Sequence, residues 1–289
     1  MHLDPIPAEA CRLGESPIWC ERTGRLWWVD VLAPALWSHD PAGGRTTRHP
    51  IRARRLGSIA LRRAGGLLLA CDDGLHSYDP ANAQQRFLVD PEPGRPGHRK
   101  NDGRADSAGN FWIGTLEEDS YAPVGRLYSV SPDLSVTSRA DGLSIPNSLA
   151  FDPDLGRMYY ADTRAFTIWV CDYDAGTGRL SERRVFTTTI PPARPDGSCV
   201  DAEGSLWNAE YAGGRVVRYA PSGEVLARID LPVSHPTCCC FGGPGLDRLY
   251  VTTASEPLDD EARTHEPLAG RTLRLDVGMR GRPEALVDL

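Results

Sequence analysis

Four oxygen-bearing side chains recur at one spacing. Glu15, Asn101, Asn147 and Asp196 each lie eight or nine residues before a glycine that opens a short aromatic or aliphatic run. Brought to one point, two carboxylates and one or two carboxamides form an oxygen cage without imidazole or thiolate. Such a cage suits a hard cation such as Ca²⁺, Mg²⁺ or Mn²⁺, and Zn²⁺ also accepts carboxylates. The two carboxylates neutralise a divalent ion formally. Three or four protein ligands leave positions for water, which is the opening a catalytic metal needs. A lone Asn or Asp before a strand is ordinarily a turn former. The argument rests on four of them sharing one repeat position.

The elements that position them are a repeat. A glycine turn followed by a strand-like run occurs at Gly24–Asp30, Gly65–Cys71, Gly109–Gly114, Gly156–Ala161, Gly204–Ala209 and Gly245–Val251. Its period of roughly 40–48 residues is that of four-stranded propeller blades. Most units have a strand before the turn, such as Ser148–Phe151, and a third after it, such as Ala35–Asp40 and Thr167–Asp172. Turns reading DSAGN, DPDLGR and DAEGS supply the positive-φ residue of a hairpin. No useful stretch has helical period. The expected fold is an all-β six-bladed propeller occupying 1–289 as one domain, its ring closed by N-terminal residues pairing with the last blade. The starts of the innermost strands ring one mouth of the central channel, so residues distant in sequence point at one spot.

Composition narrows the function classes. The net charge is −7, which disfavours nucleic acid and anionic membrane as partners, since both need a basic face. Lys100 is the only lysine. No basic region followed by an apolar run opens the chain, and no apolar stretch is long enough to span a membrane. A cytoplasmic protein is expected, and a monomer. The eight cysteines then read as buried small hydrophobes rather than disulfides. Adjacent Cys238, Cys239 and Cys240 alternate faces in a strand and do not all reach one ion. The seven histidines have no chelating spacing; His98 and His235 read as rim or structural residues. No nucleophile elbow is present.

Several segments carry a family resemblance. Leu13–Trp19 (LGESPIW), Asn101–Gly103 with Gly114-Thr115, Asn147, Pro195–Cys199 (PDGSC) and Cys239–Gly243 (CCFGG) resemble the SMP-30/gluconolactonase family of regucalcin-like proteins and bacterial sugar lactonases. The motifs fall in order in separate blades. The resemblance implies a six-bladed propeller with one divalent metal ion (Ca, Zn, Mn, Mg or Fe), held by Glu15, Asn147 and Asp196. It implies substrate contacts from Arg99 and Asn101, with Asp102 beside them, and from an acidic residue after Gly114-Thr115, here Glu118 or Asp119. Leu116 stands where the family has Met, the late Ala-Gly-Gly reads Ala269-Gly-Arg271, and Glu210 falls near the mouth. These departures bear on the substrate more than on the metal.

The implied activity is metal-dependent opening of a sugar lactone, such as glucono-, xylono- or arabinono-lactone, to the free acid. In this reading Asp196 both ligates the ion and accepts a proton from the attacking water. Arg99 and Asn101, two apart in an extended run, face the same way. Lys100 faces the other way, toward solvent, the rim or a negatively charged lactone. The alternatives are a phosphotriesterase-like metal hydrolase and a non-enzymatic calcium-binding protein.

Overall fold

Each predicted hairpin forms the inner pair of an antiparallel sheet. In the computed structural model, which describes residues 2–289, six such sheets of four or five strands make up a β-propeller. The innermost strands are Gly14–Cys20, Leu56–Arg62, His98–Ala105, Pro146–Asp152, Arg194–Val200 and Pro236–Gly242. They pair with the aromatic- and aliphatic-rich second strands, from Arg25–Asp30 in blade one to Arg248–Thr253 in blade six. The side chains of those second strands fill the space between blades. Ile18, Trp27 and Val29 of blade one meet Leu56, Ile59 and Leu69 of blade two. Trp28, Trp112 and Trp207 are fully buried. The one α-helix among the described residues, Asp260–His265, belongs to an excursion in blade six.

The ring closes as expected: Leu3–Pro5 pairs antiparallel with Leu273–Leu275 and becomes the outer strand of blade six. A second closure was not foreseen. Leu286–Val287 runs parallel to the innermost strand of blade two, and the segment from Gly281 onward crosses the channel end opposite the starts of the inner strands. A cavity of about 250 Å³ lies there, lined in part by Arg104 and Arg282–Ala285. All eight cysteines are buried free thiols. No helix among the described residues is long and apolar enough to cross a membrane.

Backbone contacts are close near the channel. A Cβ on Gly197 would collide with Cys238, and one on Gly57 with the Lys100 carbonyl. Glycine is required at both because neighbouring inner strands touch there.

Candidate active site at the channel mouth

All six inner strands carry a register shift near their start, at Glu15/Ile18, Leu56/Ser58, Lys100/Gly103, Asn147/Ala150, Pro195/Ser198 and Pro236/Cys238. A bulge re-aims side chains and ends regular pairing. In four of the six blades a residue at the bulge lines the pocket: Glu15, Asn101, Asn147 and Asp196. Directly after Glu15 and Asn147, Ser16 and Ser148 adopt left-handed backbone at φ 50° and 62°. Polar partners hold this strained geometry: the Ser16 hydroxyl accepts from Ile59 N–H at 3.0 Å, and Ser148 Oγ lies 2.7 Å from Ser198 Oγ.

Aspartates ending the second strands fix the approach to these bulges. Asp30 accepts from the N–H groups of Arg12 and Leu13, just ahead of Glu15. Asp162 accepts from those of Ser144 and Ile145, just ahead of Asn147. The Asp196 carbonyl accepts from Asn208 Nδ2 at 2.9 Å. Sequence reasoning missed these supporting residues. For Asp30 and Asp162 the available signal was their shared place at the end of the WWVD and YYAD runs.

Glu15, Arg99, Asn101, Asn147 and Asp196 line one pocket of about 190 Å³, with Tyr121, Arg164, Arg194 and Tyr211 around it. Arg99 Nη1 donates to Asn101 Oδ1 at 2.7 Å. Asn101 Nδ2 donates to Asn147 Oδ1 at 2.7 Å and to Pro146 O at 2.9 Å. Glu118 reaches the group through Arg99, 3.5 Å away, and also binds Arg55 at 2.7 Å.

The other expected contacts lie elsewhere. Asp102 is outside the pocket lining, and its Oδ2 accepts from Leu149 N–H at 2.8 Å across to blade four; the bulge between Lys100 and Gly103 breaks the simple alternation. Asp119 is exposed on the turn beyond the strand, its N–H given to Glu117. Lys100 faces away from Arg99, but it is buried rather than solvated, its Nζ 2.6 Å from Asp90 and donating to the Asp72 carbonyl. Glu210 is buried against Arg215 and Tyr219. His98 pairs with Glu92, and His235 packs edge-on against Tyr211.

Burial dominates the electrostatics of the pocket. Burial, and then the negative charge of Asp102, push the Glu15 carboxyl up to about 8. Burial, and then the charge of Glu15, raise Asp196 well above the usual carboxylate range. Asp196 Oδ1 is buried without a hydrogen-bond partner among the described residues. Asn147 is oriented by its neighbours. The Thr163 hydroxyl donates to the Pro195 carbonyl at 2.9 Å, so it must accept from Asn147 Nδ2, 2.7 Å away. That turns Asn147 Oδ1 into the pocket. Two repelling carboxylates, one of them with an unpartnered oxygen, and an inward carboxamide oxygen are a donor set that fits a hard divalent ion.

A second group that could hold a metal escaped the sequence reading, which saw no chelating histidine spacing. Cys71, Asp73 and His76 bring ligand atoms within 4.8 Å of one another, across the tight turn between the second and third strands of blade two. His76 Nε2 lies 2.8 Å from Asp73 Oδ1. Burial, and then the charge of Asp73, raise the Cys71 thiol, which opposes the thiolate a metal would need.

Comparison with known proteins agrees with the fold. Residues 13–255 match the SMP-30/Gluconolactonase/LRE-like region. The chain is 37% identical over 287 residues to a pentonolactonase of Haloferax volcanii, covering 97% of this chain and 96% of that protein. It is 39% identical over 263 residues to an L-arabinolactonase of Azospirillum brasilense, covering 89% and 86%. A solved structure of a calcium-binding protein, regucalcin, from Agrobacterium tumefaciens superposes with a TM-score of 0.94 at 36% identity, covering 99% of this chain and 97% of that one. The chain therefore belongs to the SMP-30/gluconolactonase family, related to regucalcin and to bacterial sugar lactonases.

Proposed function

We propose that this chain is a metal-dependent lactonase that opens an aldonolactone, of the glucono-, xylono- or arabinono- type, to the free acid. The observation that carries this reading is the convergence of Glu15, Asn147 and Asp196 with Arg99 and Asn101 in one pocket. Kinship with a pentonolactonase and an L-arabinolactonase supports the substrate class. Glu15, Asn147 and Asp196 would hold one divalent ion. When bound, it supplies Lewis acidity toward the lactone carbonyl and acidifies water.

The chain's own groups do the rest. Asp196 Oδ1, free of hydrogen bonds, takes the proton from the attacking water as a positioned general base. The proton then passes to the ring oxygen as the acyl–oxygen bond breaks. Arg99, buried and held by Asn101 and the Lys100 carbonyl, hydrogen-bonds the sugar hydroxyls or the developing oxyanion. Glu118 aligns Arg99 from behind. The eight free thiols suit a reducing, cytoplasmic setting, and we take the working unit to be a monomer.

The test is acid release from glucono-, xylono- and arabinono-lactones in a pH-stat. Activity should vanish on chelation and return with added Ca²⁺, Zn²⁺, Mn²⁺, Mg²⁺ or Fe²⁺. Asp196→Asn should lower kcat by roughly 10²–10⁴-fold with an unchanged far-UV spectrum. Near-wild-type turnover in that variant would sink the mechanism. Turnover of a phosphotriester with inert lactones, or metal binding with no turnover, would replace the lactonase reading.

A further inference from the structure

Three guanidinium groups face this pocket: Arg99, Arg164 and Arg194. Arg99 has a counter-charge in Glu118. Arg164 and Arg194 have none within ion-pairing distance among the described residues, although exposed Asp119 lies on a neighbouring turn. Arg194 Nε is buried without a hydrogen-bond partner. Among the described residues, the only negative side chains lining the pocket are Glu15 and Asp196, and a divalent ion would neutralise both. Two positive charges would then face the rest of the substrate.

These two arginines are also held in place. The Arg164 guanidinium lies 5.5 Å from the Tyr121 ring and donates to the Ser120 carbonyl. The Arg194 guanidinium lies 5.6 Å from the Phe166 ring. Tyr121 and Phe166 both adopt left-handed backbone at φ 54°. That conformation is uncommon and strained for bulky side chains. Each aromatic platform is thus held in a strained turn and carries a cation whose charge no side chain cancels.

We infer that the substrate carries a second, ionised acid group, so that it is an acidic sugar lactone rather than a neutral one, with Arg164 and Arg194 gripping that group while the lactone carbonyl sits at the Glu15–Asn147–Asp196 end. The inference rests on the lactonase reading of this site but replaces its neutral aldonolactone with an acidic sugar lactone. Guanidinium forks suit carboxylate and phosphate alike. The acid is assigned as a carboxylate, as in the monolactone of an aldaric acid, and a lactone 6-phosphate is the other arm of the test.

The metal-loaded chain is assayed with a glucaric acid monolactone, glucono-1,4-lactone and a gluconolactone 6-phosphate. The acidic lactone should exceed the neutral one in kcat/KM by about tenfold or more, and added salt should erode the preference. Arg164→Ala and Arg194→Ala should lower the acidic-to-neutral ratio by about 10- to 100-fold, chiefly through KM, as expected for lost charge-assisted hydrogen bonds. Arg194→Lys, which keeps the charge, should retain part of it if Arg194→Ala folds poorly. Equal or better use of the neutral lactone, with a ratio unmoved in both variants, overturns the proposal. A preference for the phosphate reassigns the acid group and overturns the carboxylate. Calorimetry with the open-chain products gives a readout independent of turnover. Glucarate should bind at least tenfold tighter than gluconate and lose that advantage in Arg164→Ala. Equal binding overturns the proposal. Tighter glucarate binding with no lactone opened overturns the lactonase reading alone.

Discussion

Glu15 and Asp196 repel one another in the channel, a cost that a bound divalent ion would offset. A carboxyl whose pKa is raised on folding keeps a proton that the unfolded chain has released. Metal-free stability is therefore fully present below the ordinary carboxylate range, near 4.5, and falls as pH rises toward the folded value of about 8 for Glu15. Glu15→Gln should flatten that fall, raising metal-free stability at pH 8 by on the order of a few kcal/mol, and should abolish the thermal shift produced by divalent ions. Melting curves from pH 5 to 8.5, with and without metal, check both. An unchanged pH slope would mean that Glu15 titrates normally. Thr163 acts at one remove, since its hydroxyl sets which end of the Asn147 amide faces inward. Thr163→Val should weaken metal binding by roughly 10–100-fold, in line with other supporting hydrogen bonds to ligands. Thr163→Ser should restore it, measured by metal titration. Equal weakening in both variants would point to packing instead.

The strand ends form a repeated device at the scale of the element. Asp162 buries its carboxylate to accept from Ser144, Ile145 and Arg164 N–H. It thereby ties the entry of one inner strand to the exit of its neighbour and places the Thr163 turn. Asp162→Ala leaves three donors unsatisfied and should cost roughly 2–4 kcal/mol. It should also weaken metal binding, because Asn147 and Thr163 both hang from that tie. Denaturant melts together with metal titration test the pair of effects, and intact metal affinity would separate the tie from the site. The hairpins were legible because glycine turns and aromatic strands repeat at one period, and Glu15, Asn101, Asn147 and Asp196 were legible as a shared offset within it. The bulges were not legible. A bulge depends on how two inner strands meet, and the family pattern that set Asp102 with Arg99 and Asn101 does not show that it turns to Leu149 instead. Lys100 was misjudged for a related reason: its partners Asp72 and Asp90 come from blade two, and nothing local announces them. Arg164 and Arg194 drew no notice because scattered arginine is ordinary in this chain.

Two closures differ in kind at the scale of the whole molecule. Leu3–Pro5 covers the edge of blade six and completes the ring. It was expected from the sequence, since pairing the N-terminal residues with the last blade removes a free sheet edge. The segment 281–289 instead crosses the far end of the channel and binds several blades at once. Gly281 N–H donates to Leu246 of blade six, Asp288 N–H to Gly109 of blade three, and Arg63 N–H of blade two to Val287. Glu284 takes Arg104 Nη1 at 2.6 Å. Arg104 also donates to the Leu149 and Ser198 carbonyls beneath the site, so the segment is joined to the pocket floor by one guanidinium. Ending the chain at Arg280 leaves Arg104 buried without its carboxylate, a loss of roughly 3–5 kcal/mol for a broken buried pair, besides the lost backbone bonds. The expected outcome is a sharply lower melting temperature with metal binding retained at 25 °C, because the proposed ligands lie at the opposite mouth. Glu284→Gln should reproduce part of the loss with every backbone bond intact. A truncated chain that melts like the full one would show that the ring is held by its sheets and the Leu3–Pro5 closure alone. Lost metal binding at unchanged secondary structure would show that Arg104 carries the far end's influence through to the site.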